Sequence, residues 1–485
     1  MFKNRWKKDQ IKEPLAKKPR LGNPVVSHKF GADPYALEYN GRIYVYMTYD
    51  EPVYDKDGNM TENTYSNITS LSVISSSDMV NWTDHGQIEL AGENGAAKWA
   101  KNAWAPAVAH KVIENVDKFF IYFANNGTNI GVVTSDSPLG PWTDPISGPI
   151  ISRELEGVDG IPWLFDPAVL VDDSGEAYLY FGGGVPDDAF KMPLTSRVVQ
   201  LHADMVRVQG TIKAIPAPFM FEDSGINKIN ETYYYSYCSN FYEGVREGNA
   251  PQPGEISYMT SPHPMGPFTY QKTILKNPGH FFNTPGNNHH AMFTFKDNLY
   301  IAYHAQTLGK AMGISHGYRS THIDQVEIDS KGVIQDIIAT REGVESLVSF
   351  NPYQPISGAT YAWQAGVEMR LELESQGKCM AVLTNGAWLG LRDVEFKGTD
   401  HTWVMTYSGT IDRGEVNIAI NSVDGESIGH VSLPKSHEQE AKLSVQIPLS
   451  IEAAVVDVYI SFTDELDHET FYLHEWEVKK QSNKV

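Results

Sequence analysis

The fold class predicted for this chain is all-β: a five-bladed β-propeller followed by an antiparallel β-sandwich. Three observations predict it. Helical periodicity is nearly absent from the 485 residues. Five dense runs of Tyr and β-branched residues recur between positions 42 and 306. Past Tyr353 the texture changes to short runs that alternate apolar and polar residues.

The five runs are Arg42–Asp50, Lys118–Asn126, Glu176–Gly184, Glu231–Ser239 and Asn298–Gln306. Turn residues such as Asn40-Gly41, Ser174-Gly175 and Lys296-Asp297 precede several of them, so each reads as a strand entered from a tight hairpin. Another strand and a polar turn follow most of them, as at Ser77–Thr83, Asp136–Thr143 and Ser261–Thr269. Five units of about 55 to 75 residues, each expected to hold four strands, point to propeller blades rather than a generic sandwich. The expected boundaries are a basic tail at 1–20, the propeller at 21–346, a Pro-containing linker at 347–358 and the sandwich at 359–480. Sandwich strands are expected at Met369–Glu374, Ala387–Phe396, Glu415–Asn421 and Val456–Thr463.

Charge narrows the function. The formal net charge is −21, which argues against a nucleic-acid partner, because such a surface repels phosphates. The first twenty residues run the other way, with eight Lys or Arg against two acids, and read as a solvated tail. Neither an apolar signal-peptide core nor a membrane-length apolar run is visible, so a cytoplasmic protein without membrane contact is expected. A secreted chain whose signal had been removed would read the same. Two cysteines do not make a disulfide framework.

The residues ahead of the five runs carry the chemistry. Asp33 lies 11 residues before Tyr44, Asp166 lies 12 before Tyr178, Glu222 lies 11 before Tyr233 and His289 lies 11 before Tyr300. In the second unit Trp104 lies 16 before Phe120, the extra residues fitting a longer turn near Ile113–Asp117. Taken singly, Asp33 and Asp166 read as turn residues before proline, Glu222 as a surface acid, Trp104 as core and His289 as a satisfied polar residue. Equivalent points of successive blades converge on one axis, so together they predict three carboxyls, an indole and an imidazole around one pocket. Three buried carboxyls are costly unless shared, bonded or functional. A pair with separated pKa values suits glycosidic bond cleavage: one protonates the leaving oxygen while the other works at the anomeric carbon. No phosphate-binding loop, zinc pattern or Gly-x-Ser-x-Gly elbow competes.

The words Gly31-Ala32-Asp33-Pro34-Tyr35, Trp104-Ala105-Pro106, Phe165-Asp166-Pro167-Ala168 and Phe221-Glu222 resemble glycoside hydrolase family 43, and within it the arabinoxylan arabinofuranohydrolases. The resemblance implies an exo-acting, inverting enzyme that releases α-L-arabinofuranosyl units from arabinoxylan or its oligosaccharides. It assigns Asp33 as general base, Glu222 as general acid and Asp166 as the residue that tunes and orients the acid. It likens Arg319 to a sugar-contacting arginine, with a surface ion pair as the alternative. The family's Gly-Pro-Gly-His word is Gly286-Asn287-Asn288-His289 here, so His289 matches by position, where the family often places a calcium and its waters.

After the linker, Leu371-Glu372-Leu373-Glu374, Val394-Glu395-Phe396, Ser422-Val423-Asp424-Gly425 and Leu473-His474-Glu475-Trp476 resemble carbohydrate-binding module family 6. That resemblance implies a structural calcium at Glu372, Glu374 and Glu475. Trp388 and Trp403 are candidates for stacking on xylan, with burial in the core as the alternative. The competing functional readings are a β-xylosidase or a bifunctional xylosidase/arabinofuranosidase, a retaining fructan hydrolase, and a non-catalytic carbohydrate-binding protein.

Overall fold

The structure, a computed structural model, describes residues 11–314, 317–372, 377–436, 441–465 and 470–480. Antiparallel strands taken in chain order build each blade. Blade 1 holds β1 (Ala32–Tyr39), β2 (Arg42–Thr48), β3 (Ser70–Ser76) and β4 (Trp82–Glu89). Blade 2 holds β5 (Trp104–Ile113), β6 (Val116–Asn125) and β7 (Asn129–Ser135). Blade 3 holds β8 (Ala168–Val171), β9 (Ala177–Phe181), β10 (Ser196–Leu201) and β11 (Val208–Ile215). Blade 4 holds β12 (Met220–Ile229), β13 (Thr232–Ser239), β14 (Ile256–Ser261) and β15 (Thr269–Leu275). The short helix α1 (Pro278–Phe282) leads to blade 5, with β16 (His290–Phe295), β17 (Asn298–Ala305), the short helix α2 (Thr307–Ala311) and β18 (Ser320–Gln325).

The five Tyr-rich runs are therefore β2, β6, β9, β13 and β17, the second strand of each blade. The Asn40-Gly41 turn enters β2 with φ of 51° and 72°, a left-handed pair that suits a two-residue hairpin. Ahead of each lies an innermost strand, and β1, β5, β8, β12 and β16 contact one another in a ring, with β16 closing against β1. Apolar side chains fill the spaces between neighbouring blades. Phe120, Tyr122, Leu179 and Phe181 pack between blades 2 and 3, and Tyr180, Tyr235 and Tyr237 between blades 3 and 4.

Two blades depart from the expected four strands. In blade 2 the outer strand shrinks to isolated bridges, Thr134 with Thr143 and Ile130 with Ile151. In blade 5 the exposed edge of β18 is taken by the N-terminal part of the chain. Val25 N–H donates to Thr321 O at 2.8 Å and Gly31 N–H to Arg319 O at 2.9 Å. Chain from the front of the propeller thus covers part of that edge.

After blade 5 in the chain, β19 (Ile356–Ser357) and β20 (Thr360–Tyr361) lead into the sandwich. Its main strands are β21 (Trp363–Leu371), β22 (Cys379–Phe396), β23 (His401–Thr410), β24 (Glu415–Ile420), β25 (Glu426–Ser432), β26 (Leu443–Leu449), β27 (Ala454–Thr463) and β28 (Thr470–Lys480). The long strand β22 turns the corner between the two layers. Its first part pairs with β28 and its second with β27. Both candidate stacking tryptophans are core. Trp403 stacks on Trp476 at 4.2 Å, and Trp388 is buried with its indole N–H on Lys12 O at 2.8 Å.

The propeller and sandwich are joined by backbone as well as side chains. Strand β20 adds to the outer edge of β4, pairing Thr360 with Thr83 and Tyr361 with Trp82. The expected solvated tail is corrected for residues 11–20. Lys12 N–H donates to Gly386 O, and Lys17 is buried with its ammonium on Val25 O at 2.8 Å. These lysines carry long apolar stems that pack where a charge count reads only solvation.

Candidate active site

A repeated backbone feature opens the inner strands. Asp33, Ala105, Asp166 and Asp223 are all left-handed, with φ of 46°, 42°, 47° and 70°. The first three each precede a proline. Register breaks fall at the same places, between Ala32 and Tyr35, Trp104 and Ala107, and Glu222 and Gly225. Such bulges re-aim side chains at the end of a strand, and Asp tolerates the left-handed region better than most residues. Trp104 and Glu222 each stand one residue before this left-handed point, so the residue in blade 2 equivalent to Asp33 and Asp166 is Ala105, not Trp104. Counting from the Tyr-rich strands could not see that offset, because the bulges shift register independently of chain length.

The six expected side chains nevertheless meet. Asp33, Trp104, Asp166, Glu222, His289 and Arg319 all line one cavity of about 470 Å³. The three carboxyls and His289 are buried. Arg319 is buried too, and the alternative of a surface ion pair does not hold. Its Nη1 donates to Asp33 Oδ1 at 2.8 Å, while Nε and Nη2 form a fork on Asp50 at 2.9 and 2.8 Å. Its guanidinium also lies 4.8 Å over the ring of Tyr65. The main-chain N–H of Asp33 donates to His304 Nδ1 at 3.1 Å.

These contacts separate the carboxyls electrically. Burial pushes the Asp33 pKa up, but Arg319, His289 and His304 outweigh it and hold Asp33 well below the ordinary carboxylate range. For Glu222 burial is the largest cause, and the carboxylates of Asp166, Asp223 and Asp33 add to it, so its pKa is raised well above the usual value. Burial likewise lifts Asp166 to about 7; His289 opposes the rise, and Asp33 and Asp223 support it. Burial alone would lower the His289 pKa, but the carboxylates of Asp223, Asp33 and Asp166 prevail and raise it. One carboxylate that stays ionised and one carboxyl that keeps its proton thus share a cavity. Glu222 Oε1 is buried and takes no hydrogen bond from the described residues.

The expected metal ligands are placed as follows. His289 lies in the channel, with Nδ1 at 3.6 Å from Asp33 and 3.7 Å from Asp166, and Nε2 at 3.2 Å from Asp223 Oδ1. The carboxylates that face this ring are the kind of donor a hard cation takes, with waters completing its shell. The channel residues thus fit an ion. In the sandwich only two of the three expected donors are among the described residues. Glu372 accepts from His474 Nδ1 at 2.6 Å and from Lys442 at 3.1 Å, Glu475 is exposed, and Glu374 lies outside the described residues.

Several site residues escape a reading of the sequence. Asp50, Tyr65 and His304 reach the site from the ends of Tyr-rich runs or from the loop after one of them. Asp50 ends the first of those runs and His304 lies within the fifth, a signal available only once strand direction is known. Trp163 and Phe221 line both this cavity and a neighbouring one of about 680 Å³ that continues past Phe241 and Tyr242. Trp163 and Phe241 are exposed, at 41% and 44%. The Trp163 ring meets Phe221 edge to face at 5.3 Å, and Phe221 meets Phe241 likewise at 5.7 Å.

Comparison with known proteins agrees with this fold. The family model "Glycosyl hydrolases family 43" matches residues 21–334, and "Carbohydrate binding module (family 6)" matches residues 358–480. An arabinoxylan arabinofuranohydrolase of Paenibacillus polymyxa is 44% identical over 97% of this chain and 76% of its own length. Another, from Bacillus subtilis, is 43% identical over 96% of this chain and 93% of its own. The crystal structure of a family 43 arabinoxylan arabinofuranohydrolase from Bacillus subtilis, in complex with cellotetraose, superposes with a TM-score of 0.93. It is 42% identical and covers 96% of this chain and 99% of that one. The propeller with its ring of carboxyls, and the sandwich behind it, place this chain in glycosyl hydrolase family 43, with a family 6 carbohydrate-binding module at its C-terminal side.

Proposed function

We propose that this protein is an exo-acting, inverting hydrolase that releases α-L-arabinofuranosyl units from arabinoxylan or arabinoxylo-oligosaccharides. The observation that carries the reading is the opposed state of Asp33 and Glu222 in one cavity. Asp33, held ionised by Arg319, takes a proton from water as the water oxygen attacks the anomeric carbon. Glu222, held protonated by burial and its carboxylate neighbours, gives its proton to the departing glycosidic oxygen. Asp166, once ionised near pH 7, keeps that proton on Glu222 by like-charge repulsion. Trp104, with its indole N–H tied to Tyr65 O at 3.0 Å, offers a fixed aromatic wall for the sugar.

The choice of an arabinose side chain on a xylan backbone has two supports. Relatives that match nearly the whole chain are named for that activity. The aromatic trough from Trp163 to Phe241 also extends the cavity sideways, where a backbone of further sugars can stack. Product analysis on arabinoxylan and xylobiose side by side tests the reading. Arabinose from the first with no xylose from the second is expected; xylose from xylobiose as the main product overturns it in favour of a β-xylosidase.

We also propose a structural calcium in the propeller channel, with His289 and water as its ligands. The place of His289 in the cavity wall, between the carboxylates of Asp33 and Asp166, supports it. Removal of metal with a chelator should lower Tm, and calcium should restore it; an unchanged Tm with no calcium found by elemental analysis overturns it.

A further inference from the structure

Asp223 takes no direct part in the hydrolysis just described, yet it touches Asp166, His289 and His290. It follows Glu222 directly, is fully buried and does not line the cavity. The bulge between Glu222 and Gly225, with its left-handed φ of 70°, breaks the strand alternation that would send these neighbours to opposite faces. Asp223 thereby takes the left-handed position at the head of the inner strand that Asp33 and Asp166 take in their own blades.

Its contacts run to three site groups. The main-chain N–H donates to Asp166 Oδ2 at 2.9 Å. Carboxylate oxygen Oδ2 accepts from His290, at 2.5 Å from Nδ1 and 3.1 Å from the main-chain N–H. His290 is anchored at its far side, where Nε2 lies 2.7 Å from Ser236 Oγ. Oxygen Oδ1 is then left facing His289 Nε2 at 3.2 Å. The other nitrogen of that ring stands between Asp33 and Asp166, at 3.6 and 3.7 Å. A fourth buried carboxylate beside three others is costly, and an apolar residue would pack there at less expense. What it adds is a rigid line from Ser236 through His290 and Asp223 to His289.

We propose that Asp223 is a positioning residue for the hydrolysis, setting the His289 ring between Asp33 and Asp166 with its carboxylate and fixing Asp166 beside the acid with its N–H. The proposal rests on the inverting-hydrolase reading of the same cavity. Asp223 acts through its neighbours, since it does not reach the cavity itself.

The substitution Asp223→Asn tests it. The main-chain N–H and side-chain shape are kept, but an amide has one acceptor oxygen. His290 presents two donors to that oxygen, so the amide nitrogen is turned toward His289, where an acceptor stood. On an aryl α-L-arabinofuranoside, kcat is expected to fall about 100-fold, the cost typical of a small misplacement, with KM within about twofold. Circular dichroism and Tm should match the parent. In the His289→Gln background the same change should cost almost nothing further, because the two act as one unit. A kcat within about threefold of the parent, a change confined to KM, or losses that multiply in the double variant overturns the proposal. So does a loss restored by added calcium, which would make Asp223 an ion ligand instead. Should Asp223→Asn not fold, Ser236→Ala loosens the same line from its far end. A fall in kcat of about threefold to tenfold at unchanged KM is expected, and an unchanged kcat overturns the proposal. Parent enzyme and Glu222→Gln are measured together with these. If the parent itself fails to turn over, the hydrolase reading is at fault; if the parent works and Glu222→Gln does not, only the role of Asp223 is at stake.

Discussion

Arg319 donates to Asp33 Oδ1 through Nη1 at 2.8 Å while Asp50 grips the rest of its guanidinium with both carboxylate oxygens. The base is therefore held by a cation that is itself immobilised from behind. Lysine cannot serve two carboxylates in that fork geometry. Arg319→Lys is expected to lower kcat/KM by about 100-fold, by analogy with other misplacements of catalytic groups. Arg319 holds the Asp33 pKa down, so its loss lets that pKa rise, and the acidic limb of the pH–rate profile should move to higher pH. An acidic limb that stays in place contradicts the assignment of Asp33 as base.

Acid and base should separate by leaving group. Glu222→Gln removes the proton donor, so a dinitrophenyl arabinoside, which needs little protonation, should recover much of the rate lost on a poor leaving group. Asp33→Asn removes water activation, so leaving-group quality should help little and added azide should help more. Losses of about 100- to 10,000-fold are expected on the polymer. Rescue of Asp33→Asn by leaving groups, with none for Glu222→Gln, would reverse the two labels.

Asp166→Asn deletes a like charge beside Glu222, so the acid's pKa falls and the basic limb of the profile should move to lower pH. Stability has its own sign. The folded pKa of Asp166, about 7, lies above its ordinary value of 3.8. Folded protein therefore holds the proton more tightly, and stability attributable to this group is present below about pH 4 and lost as pH rises through 7. The Asn variant should gain Tm relative to the parent at pH 8 and not at pH 4, as thermal melts across that range can show.

Stereochemistry is expected to invert. Water activation at Asp33 needs the two working carboxyls about 6.5–9.5 Å apart, against about 5–5.5 Å for covalent attack. Proton NMR of the first sugar released from an aryl arabinoside reads the outcome directly. A retained anomer would give Asp33 the role of nucleophile.

The aromatic trough should matter only for long substrates. Phe241→Ala removes an exposed ring beyond the reacting sugar, so kcat/KM on arabinoxylan should fall about tenfold, the scale of one stacking contact. Activity on a small aryl arabinoside should stay within about twofold. Equal loss on both substrates would place Phe241 in the reacting pocket.

Local chemistry decides much of this protein, and it was legible before any coordinates. Tyr-rich runs after tight turns specify the second strand of every blade, because β-branched and aromatic residues suit a pleated, half-buried surface. Repetition of those runs implies a ring, and a ring brings Asp33, Asp166, Glu222 and His289 together. What tertiary structure alone decided are contacts between distant parts of the chain. Asp50 and Arg319 are separated by 269 residues, and nothing local marks either as the other's partner. The N-terminal chain beside β18, and Lys17 in the interior, follow from closure of the propeller rather than from the tail's composition. Asp223 is the sharpest case. It sits next to a residue that was found, but a bulge turns it inward, and a bulge is set by how the strand must bend against its neighbours rather than by the order of its side chains.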